Sequence, residues 1–118
     1  MGLDQFAYRR KVIEDEKEDK IIREDKLLMR WRKHANLQGW MHALYEKKGG
    51  EDVFNLVELH LTREDLHKLE KEHKNLEKAE GFFWGESTDG DVLSTQEFVK
   101  DALKAIDNGY EIIYKSWW

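Results

Sequence analysis

The stretch that most restricts how this chain can fold is residues 27–48, with RWRKHANLQGWMHALY at its centre. Placed at about 100° per residue, its apolar side chains cover well over half of a helical circumference. A helix that is apolar this far round has to be surrounded by other elements. Gly49-Gly50 then supplies a stop signal. The sequence therefore predicts a central helix over residues 27–48, with Trp31 buried inside its apolar arc.

Three other segments have the pattern of strands. In residues 3–10, Phe6 and Tyr8 alternate with smaller or polar side chains. Residues 55–62, NLVELHLT, alternate apolar side chains with polar ones in the same way. Residues 110–118, YEIIYKSWW, are rich in the β-branched and aromatic residues that favour strands.

Two further helices are predicted from capping signals. Residues 62–65, TRED, resemble a capping box with Asp in place of the usual Glu, and open a helix that runs to about Glu80. Residues 94–97, STQE, form a second box, which opens a helix ended by residues 108–109. Residues 13–26, IEDEKEDKIIREDK, carry many charges of both signs and are expected to be loop-like or to lead into the central helix.

Together these segments predict one domain, residues 1–118, of the α+β class. About three helices would pack on a small sheet of three to four strands, with a single layer of each. Apolar residues make up 40% of the 118 residues and charged residues 38%, so the core has to be economical. Five Trp, five Phe and four Tyr can supply it, because each buried ring removes roughly 150–250 Å² from water.

Composition also excludes several classes of protein. Without cysteine there is no disulfide framework, thiolate metal site or thiol nucleophile. No apolar run approaches the roughly 20 residues of a membrane span, and MGLDQFAYRRK lacks the core of a signal peptide. We therefore expect a soluble, cytoplasmic chain with no membrane partner. The net charge of −5 disfavours non-specific nucleic-acid binding, which depends on clustered cations.

Several motifs, in this order, resemble those of a protein family. They are MGLDQF at the start, WRK at residues 31–33 with Trp40 after it, TREDL at 62–66, GFFWG at 81–85 and YKSW at 114–117. The set resembles a family of small proteins of unknown function found chiefly in tailed bacteriophages. Ala35 and Gln38 stand where that family has Asn and His. The resemblance implies a phage or prophage origin, and then a bacterial cytoplasm, but it implies no activity.

His34, Gln38 and His42 lie at successive intervals of four residues, one above another on the predicted helix. A metal site is disfavoured because about 12 Å of helix rise separates the two histidines. Glutamine is also a poor zinc ligand. Two interpretations stay open: a buried polar ladder with internal hydrogen bonds, or one wall of a ligand pocket.

Arg30, Arg32 and Lys33 form a short basic cluster beside an aromatic side chain. Cations next to a ring can hold a phosphate or stack a base. The alternative is pairing with nearby carboxylates such as those of Glu24 and Asp25. This cluster is the nucleic-acid candidate of the sequence.

The aromatic segment GFFWGE offers a second candidate surface. If it is extended, Phe82 and Trp84 face one side and Phe83 the other. Core packing and a partner-binding or base-stacking surface both fit this pattern, and Trp117 is open to the same interpretations. The glycines do not form a phosphate-binding motif.

Gly39 lies inside the predicted central helix, where glycine costs roughly 1 kcal/mol relative to alanine. Either the glycine is tolerated on the narrow polar face, or another backbone or a partner approaches closely there. The sequence leaves both interpretations open.

No catalytic motif is present, so we expect no catalytic residues, no metal and no cofactor. The leading hypothesis is a phage-encoded, non-enzymatic accessory protein that binds a host or phage protein. The alternative is a small-ligand or nucleotide-binding protein with a pocket on the His34, Gln38 and His42 face. Nucleic-acid binding is the third hypothesis, and a homodimer stays open.

Overall fold

A computed structural model describes residues 2–79 and 84–118. In these ranges, three helices pack on one face of a four-stranded antiparallel sheet, which confirms the predicted α+β class. The elements in chain order are β1 Asp4–Asp15, β2 Lys20–Arg32, α1 Ala35–Lys47, β3 Leu59–Leu61, α2 Arg63–Glu72, α3 Asp89–Asp107 and β4 Glu111–Trp117.

The strands lie in the order β2-β1-β4-β3, so β2 and β3 are the edges. β1 pairs with β2 in a hairpin and with β4 on its other side. Because side chains alternate between the two faces of a strand, one face of the sheet meets the helices. That face contributes Ala7, Trp31, Ile112 and Tyr114 to the core, where they meet helical residues such as Phe98.

The predicted central helix is wrong over its first third. α1 begins at Ala35, and residues 27–32 belong to β2. Pairing with β1 places Trp31 on the core side, and the flanking Arg30 and Arg32 lie on the opposite side. Lys33, with a φ of 67°, then turns the chain into the helix. Over these few residues the apolar side chains fit both a helical period and a strand period, and pairing with β1 selects the strand.

Trp31 is nonetheless buried as predicted, with 2% of its surface exposed. Its ring meets that of Phe98 edge-on, with centroids 5.2 Å apart. Its Nε1–H donates to Ser94 Oγ at 3.1 Å. Trp31 therefore reaches the core from strand β2, and not from a helix as predicted.

The charged segment is also not a loop. Residues 13–15 continue β1 and residues 20–26 belong to β2, with only the turn between them outside the strands. Pairs such as Ile13↔Ile22 keep the two strands in register along this length. The segment has no strand pattern in the sequence because nearly all of its side chains are exposed, so neither strand needs an apolar face.

The helix boundaries mix success and error. The capping box at residues 62–65 is confirmed, as is the end of α3 beside Asn108. α2 ends at Glu72 instead of near Glu80, because the chain must turn away to bring Ala79 against α1. The box predicted at residues 94–97 is wrong: Thr88 and Asp91 cap α3, and residues 94–97 lie inside it.

Candidate functional site

His34 lies at the start of α1 and is the centre of a buried polar network. Only 1% of the residue is exposed. Its backbone N–H donates to Gln5 Oε1 at 2.8 Å, and its carbonyl accepts from Gln5 Nε2 at 3.0 Å. These two hydrogen bonds from Gln5 fix the backbone at the junction between β2 and α1. The network joins a central strand to the first turn of a helix through a side chain that the sequence reading did not single out.

The hydrogen bonds of the His34 ring assign its tautomer. The Thr95 hydroxyl donates to the carbonyl of Asp91 at 2.7 Å, so it accepts from His34 Nε2, 3.0 Å away. Nδ1 then accepts from Ser87 Oγ at 2.7 Å. Burial lowers the pKa of His34 to about 4, against a smaller opposing effect of the Asp91 carboxylate. The imidazole is therefore neutral near pH 7 and fully engaged.

Gln38 extends the same network one turn further along α1. Its Oε1 accepts from the Tyr114 hydroxyl at 2.5 Å, and that hydroxyl accepts from Gln5 Nε2 at 2.9 Å. Burial raises the pKa of Tyr114, which keeps the phenol protonated. Gln38 Nε2 is buried without a hydrogen-bond partner in the structure. The structure thus brings His34 and Gln38 together through β1 and β4.

His42 lies outside this network. Its side chain is 40% exposed and its Nε2 lies 3.1 Å from Glu46. The ring stacks on Phe54 with centroids 5.6 Å apart. The three residues predicted to share a face therefore divide into a buried pair and a half-exposed third.

A groove of about 350 Å³ does run along α1, but on another side of the helix. Asn36, Gly39 and Trp40 line it, together with residues around Ala79, whereas His34, Gln38 and His42 do not. A Cβ on Gly39 would lie 2.5 Å from that of Ala79. Of the two interpretations of Gly39, the structure therefore supports close approach of another segment.

The basic cluster lies on the last turns of β2 and spreads over different surroundings. Arg30 lies 3.5 Å from Asp4, and its guanidinium is 5.6 Å from the ring centre of Phe6. Arg32 is exposed. The side chain of Lys33 runs close to Gly85. The cluster therefore lies beside the ring of Phe6, whereas the predicted helix placed it beside the ring of Trp31.

Only part of the aromatic segment can be placed. Phe82 and Phe83 lie outside the described residues. Trp84 is buried, with 7% of its surface exposed, in a small second cluster with Leu3 and Ala35. Its ring meets that of Trp118 edge-on, with centroids 5.9 Å apart. For Trp84, core packing is the interpretation that the structure supports.

Trp117 and Trp118 differ sharply. Trp118 is fixed by hydrogen bonds, its Nε1–H donating to the carbonyl of Phe54 at 2.8 Å and its N–H to Asn55 Oδ1 at 3.1 Å. Trp117 has 58% of its surface exposed. It pairs across the strands with Asp4 and lies on the face of the sheet that carries no helix.

We call this helix-free side of the sheet the open face. In β1 the polar Gln5 and small Ala7 are fully buried, and the rings of Phe6 and Tyr8 point to the open face. Those two rings lie 6.3 Å apart and nearly parallel. The alternation was visible in the sequence, but its direction was not. The open face includes Asp4, Phe6, Tyr8, Arg10, Asp25, Leu27, Arg30, Arg32, Glu111, Ile113, Lys115 and Trp117. Arg10 and Ile113 are buried there, and Phe6 and Tyr8 are partly buried.

Arg10 ties the two edges of the sheet together across the open face. Its guanidinium contacts Asp25 of β2 at 2.7 and 2.9 Å, and Glu58, just before β3, at 2.7 and 3.0 Å. These bonds raise the pKa of Arg10 and lower the pKa of both carboxyls. Asp25 therefore pairs with Arg10, and the carboxylate that lies near Arg30 is that of Asp4, so carboxylate pairing of the basic cluster occurs through a different residue from those the sequence suggested. The sequence offered no sign of this clamp, because its members are far apart along the chain.

Among residues 2–79 and 84–118, no group of three or more His, Asp or Glu side chains is arranged to hold a metal ion. Within the same ranges, no helix is both long and apolar enough to cross a membrane.

Comparison of the chain with protein families, with curated proteins and with solved structures finds no match.

Proposed function

We propose that this chain is a non-enzymatic binding protein that docks a protein partner on the open face of its sheet. The orientation of β1 carries the proposal, because Gln5 and Ala7 take the core positions while Phe6 and Tyr8 face outward. A fold under no other demand would bury such rings, since each can remove roughly 150–250 Å² from water. Both rings are only partly buried, and with the exposed Leu27 and Trp117 they form an apolar patch of the kind that often marks an interaction surface.

The open face also suggests the chemistry of its partner. Leu27 and Trp117 are 47% and 58% exposed and add to the aromatic patch. Arg30, Arg32 and Lys115 share this end of the face and outnumber Asp4, the carboxylate beside Arg30. Tryptophan and arginine are the residues most often dominant in binding energy. A fitting partner presents an apolar centre flanked by aspartate or glutamate.

The origin is part of the proposal and rests on the sequence resemblance alone. On that resemblance, the chain is a phage-encoded accessory protein acting in the bacterial cytoplasm. Its partner is then a host or phage protein. The lack of a catalytic motif in the sequence is consistent with action by binding.

Selection of peptides from a displayed random library tests the binding surface without knowledge of the natural partner. The immobilised protein should enrich peptides with an aromatic or aliphatic centre and acidic flanks. Trp117→Ala should weaken their binding by about tenfold or more, because tryptophan at an interface centre often contributes more than 1 kcal/mol. Leu93→Ala is the matched control, since Leu93 is 64% exposed on α3, away from the sheet.

Two outcomes would contradict the proposal. One is enrichment of peptides that bind the Trp117 variant as tightly as the original chain. The other is no peptide enrichment together with tight binding of single-stranded oligonucleotides that weakens steeply with salt. That second result would assign the stacked rings and Arg30 to base recognition.

A further inference from the structure

The far half of the β1–β2 hairpin is a two-stranded ribbon. Pairing of β1 with β4 ends at Arg10, whereas pairing with β2 continues to Asp15 and Lys20. We call this part, residues 11–24, the arm. It contributes to an elongated molecule of 49 × 28 × 25 Å. Isolated two-stranded ribbons are marginally stable in water, so an additional strand beside the arm would stabilise it.

The arm also exposes large apolar side chains. Val12, Ile21 and Ile22 are 42%, 63% and 43% exposed. β2 is an edge strand and residues 20–27 are all exposed, so their outward main-chain groups face no other strand of the part of the chain that the structure describes. Such an edge is a template for pairing with another strand. Charged side chains on an edge strand usually prevent such pairing, so the charges along β2 determine whether it can pair with another strand.

That pattern is self-complementary in one antiparallel register. If two β2 strands meet with Glu24 on the twofold axis, Arg23 lies opposite Asp25 of the second copy. Ile21 then lies opposite Leu27 of the second copy. The Arg23–Asp25 pair and the Ile21–Leu27 pair each occur twice in the dimer. All four side chains lie on the side of β2 that belongs to the open face. The two Glu24 carboxylates meet at the axis, where Lys11 of the same chain faces each of them.

The ends of β2 are complementary as well. The turn at residues 16–19, EKED, follows Glu14 and Asp15, so the tip of the arm is acidic. The other end of β2 carries Arg30, Arg32 and Lys33. Antiparallel pairing places the acidic tip of one copy at the basic end of the other, twice in each dimer. Opposite charges placed in this way fix the register and direction of a pairing.

From these observations we propose that two copies of this chain associate by antiparallel pairing of their β2 edge strands, with each acidic arm tip facing the Arg30 and Arg32 end of the other copy. The proposal does not rest on the open-face function, because it needs no outside partner. A continuous eight-stranded sheet would result, with the helices of both copies on one side.

Sedimentation velocity over a range of protein concentrations tests the association. The original chain should show a reversible monomer–dimer equilibrium. Glu16→Lys with Glu18→Lys reverses charge at the tip, and Arg30→Glu with Arg32→Glu reverses it at the base. Each double variant alone should dimerise about tenfold more weakly or worse. A mixture of the two should recover dimers, because each acidic end then meets a basic one.

Glu97→Lys with Lys100→Glu on α3 is the matched control and should leave the dimer unchanged, since both residues are exposed on the side of α3 that faces α2. Hydrogen exchange gives a second, independent readout: amides of residues 20–27 should gain protection as concentration rises. A chain that stays monomeric overturns the proposal. So does a dimer that neither double variant weakens, or one whose added protection lies on the helices. The tip variant should still bind the selected peptides, which separates this proposal from the open-face function.

Discussion

The near and far halves of the β1–β2 hairpin are both antiparallel pairs, with one bulge between Ala7 and Tyr8 in the near half, but their surroundings are opposite. Both keep registered pairs, Gln5↔Trp31 near the helices and Ile13↔Ile22 in the arm. In the near half Gln5, Ala7 and Trp31 are almost fully buried, whereas in the arm Ile21 is 63% exposed. Strand pairing therefore shapes both halves, but only the near half contributes strongly to the core. The far half keeps apolar surface available for association.

The largest expected difference between the halves is at Trp31. Trp31→Ala should lower the free energy of unfolding by about 3–5 kcal/mol, because it opens a cavity beside Phe98. That is a large share of the stability of a domain of this size. Trp117→Ala is the matched control on the open face and should change stability by less than about 1 kcal/mol. Chemical denaturation of both variants gives the comparison, and equal losses would show that the near half is not the core.

A second difference concerns pH, because Gln5 of the near half is hydrogen-bonded to a buried neutral histidine, His34. The pKa of His34 is about 4 in the folded chain, below the value of about 6.5 expected when it is unfolded. Between these values the unfolded chain binds more protons, so the stabilisation is complete above about pH 6.5 and is lost as pH falls towards 4. The loss approaches about 3 kcal/mol, from 1.36 kcal/mol per pKa unit.

Urea denaturation at successive pH values measures this effect. His34→Gln should flatten the dependence on pH between about 4 and 6.5. His42→Gln on the same helix should keep it, because His42 is partly exposed and outside the network. The lowered pKa values of Asp25 and Glu58 place their own contributions at lower pH. An unchanged slope in His34→Gln would mean that the ring is not held neutral by burial.

The contrast between the halves also explains what the sequence could predict. The capping box at residues 62–65 and the end of α3 are set by neighbouring residues, so local patterns were sufficient. β2 depends on pairing with β1, and the arm has no buried face to produce an alternating pattern. Local periodicity therefore predicted a helix at the near end of β2 and a loop in the arm.

The candidate site was predictable to a similar depth. The sequence marked His34 and Gln38 as polar residues in an apolar context, and both are buried. Their partners were beyond reach, because Ser87 and Thr95 lie 53 and 61 residues further along the chain from His34. The direction of Phe6 and Tyr8 was equally hidden, since alternation alone does not state which face meets the helices.

A third test sharpens the comparison at the sheet centre. Tyr114→Phe removes the hydroxyl that donates to Gln38 and accepts from Gln5. Because Gln38 Oε1 would then be buried without a donor, we expect a loss of about 1–3 kcal/mol. Tyr8→Phe makes the same chemical change on the open face and should cost less than about 0.5 kcal/mol. Denaturant midpoints decide, and a neutral Tyr114→Phe would show that water or a rearranged side chain can take the place of the hydroxyl.

The smallest expected effect is in the arm. Ile21→Thr keeps a β-branched side chain that suits a strand, and most of Ile21 already faces solvent. The free energy of unfolding of the monomer should therefore change by less than about 0.5 kcal/mol. The measurement has to be made at a concentration where dimers are absent, because pairing of Ile21 with Leu27 of a second copy would add to the apparent stability. A loss that grows with protein concentration would locate the contribution of Ile21 at the β2 edge. A large loss at every concentration would instead place the arm within the core of a single chain, and the contrast between the two halves of the hairpin would be wrong.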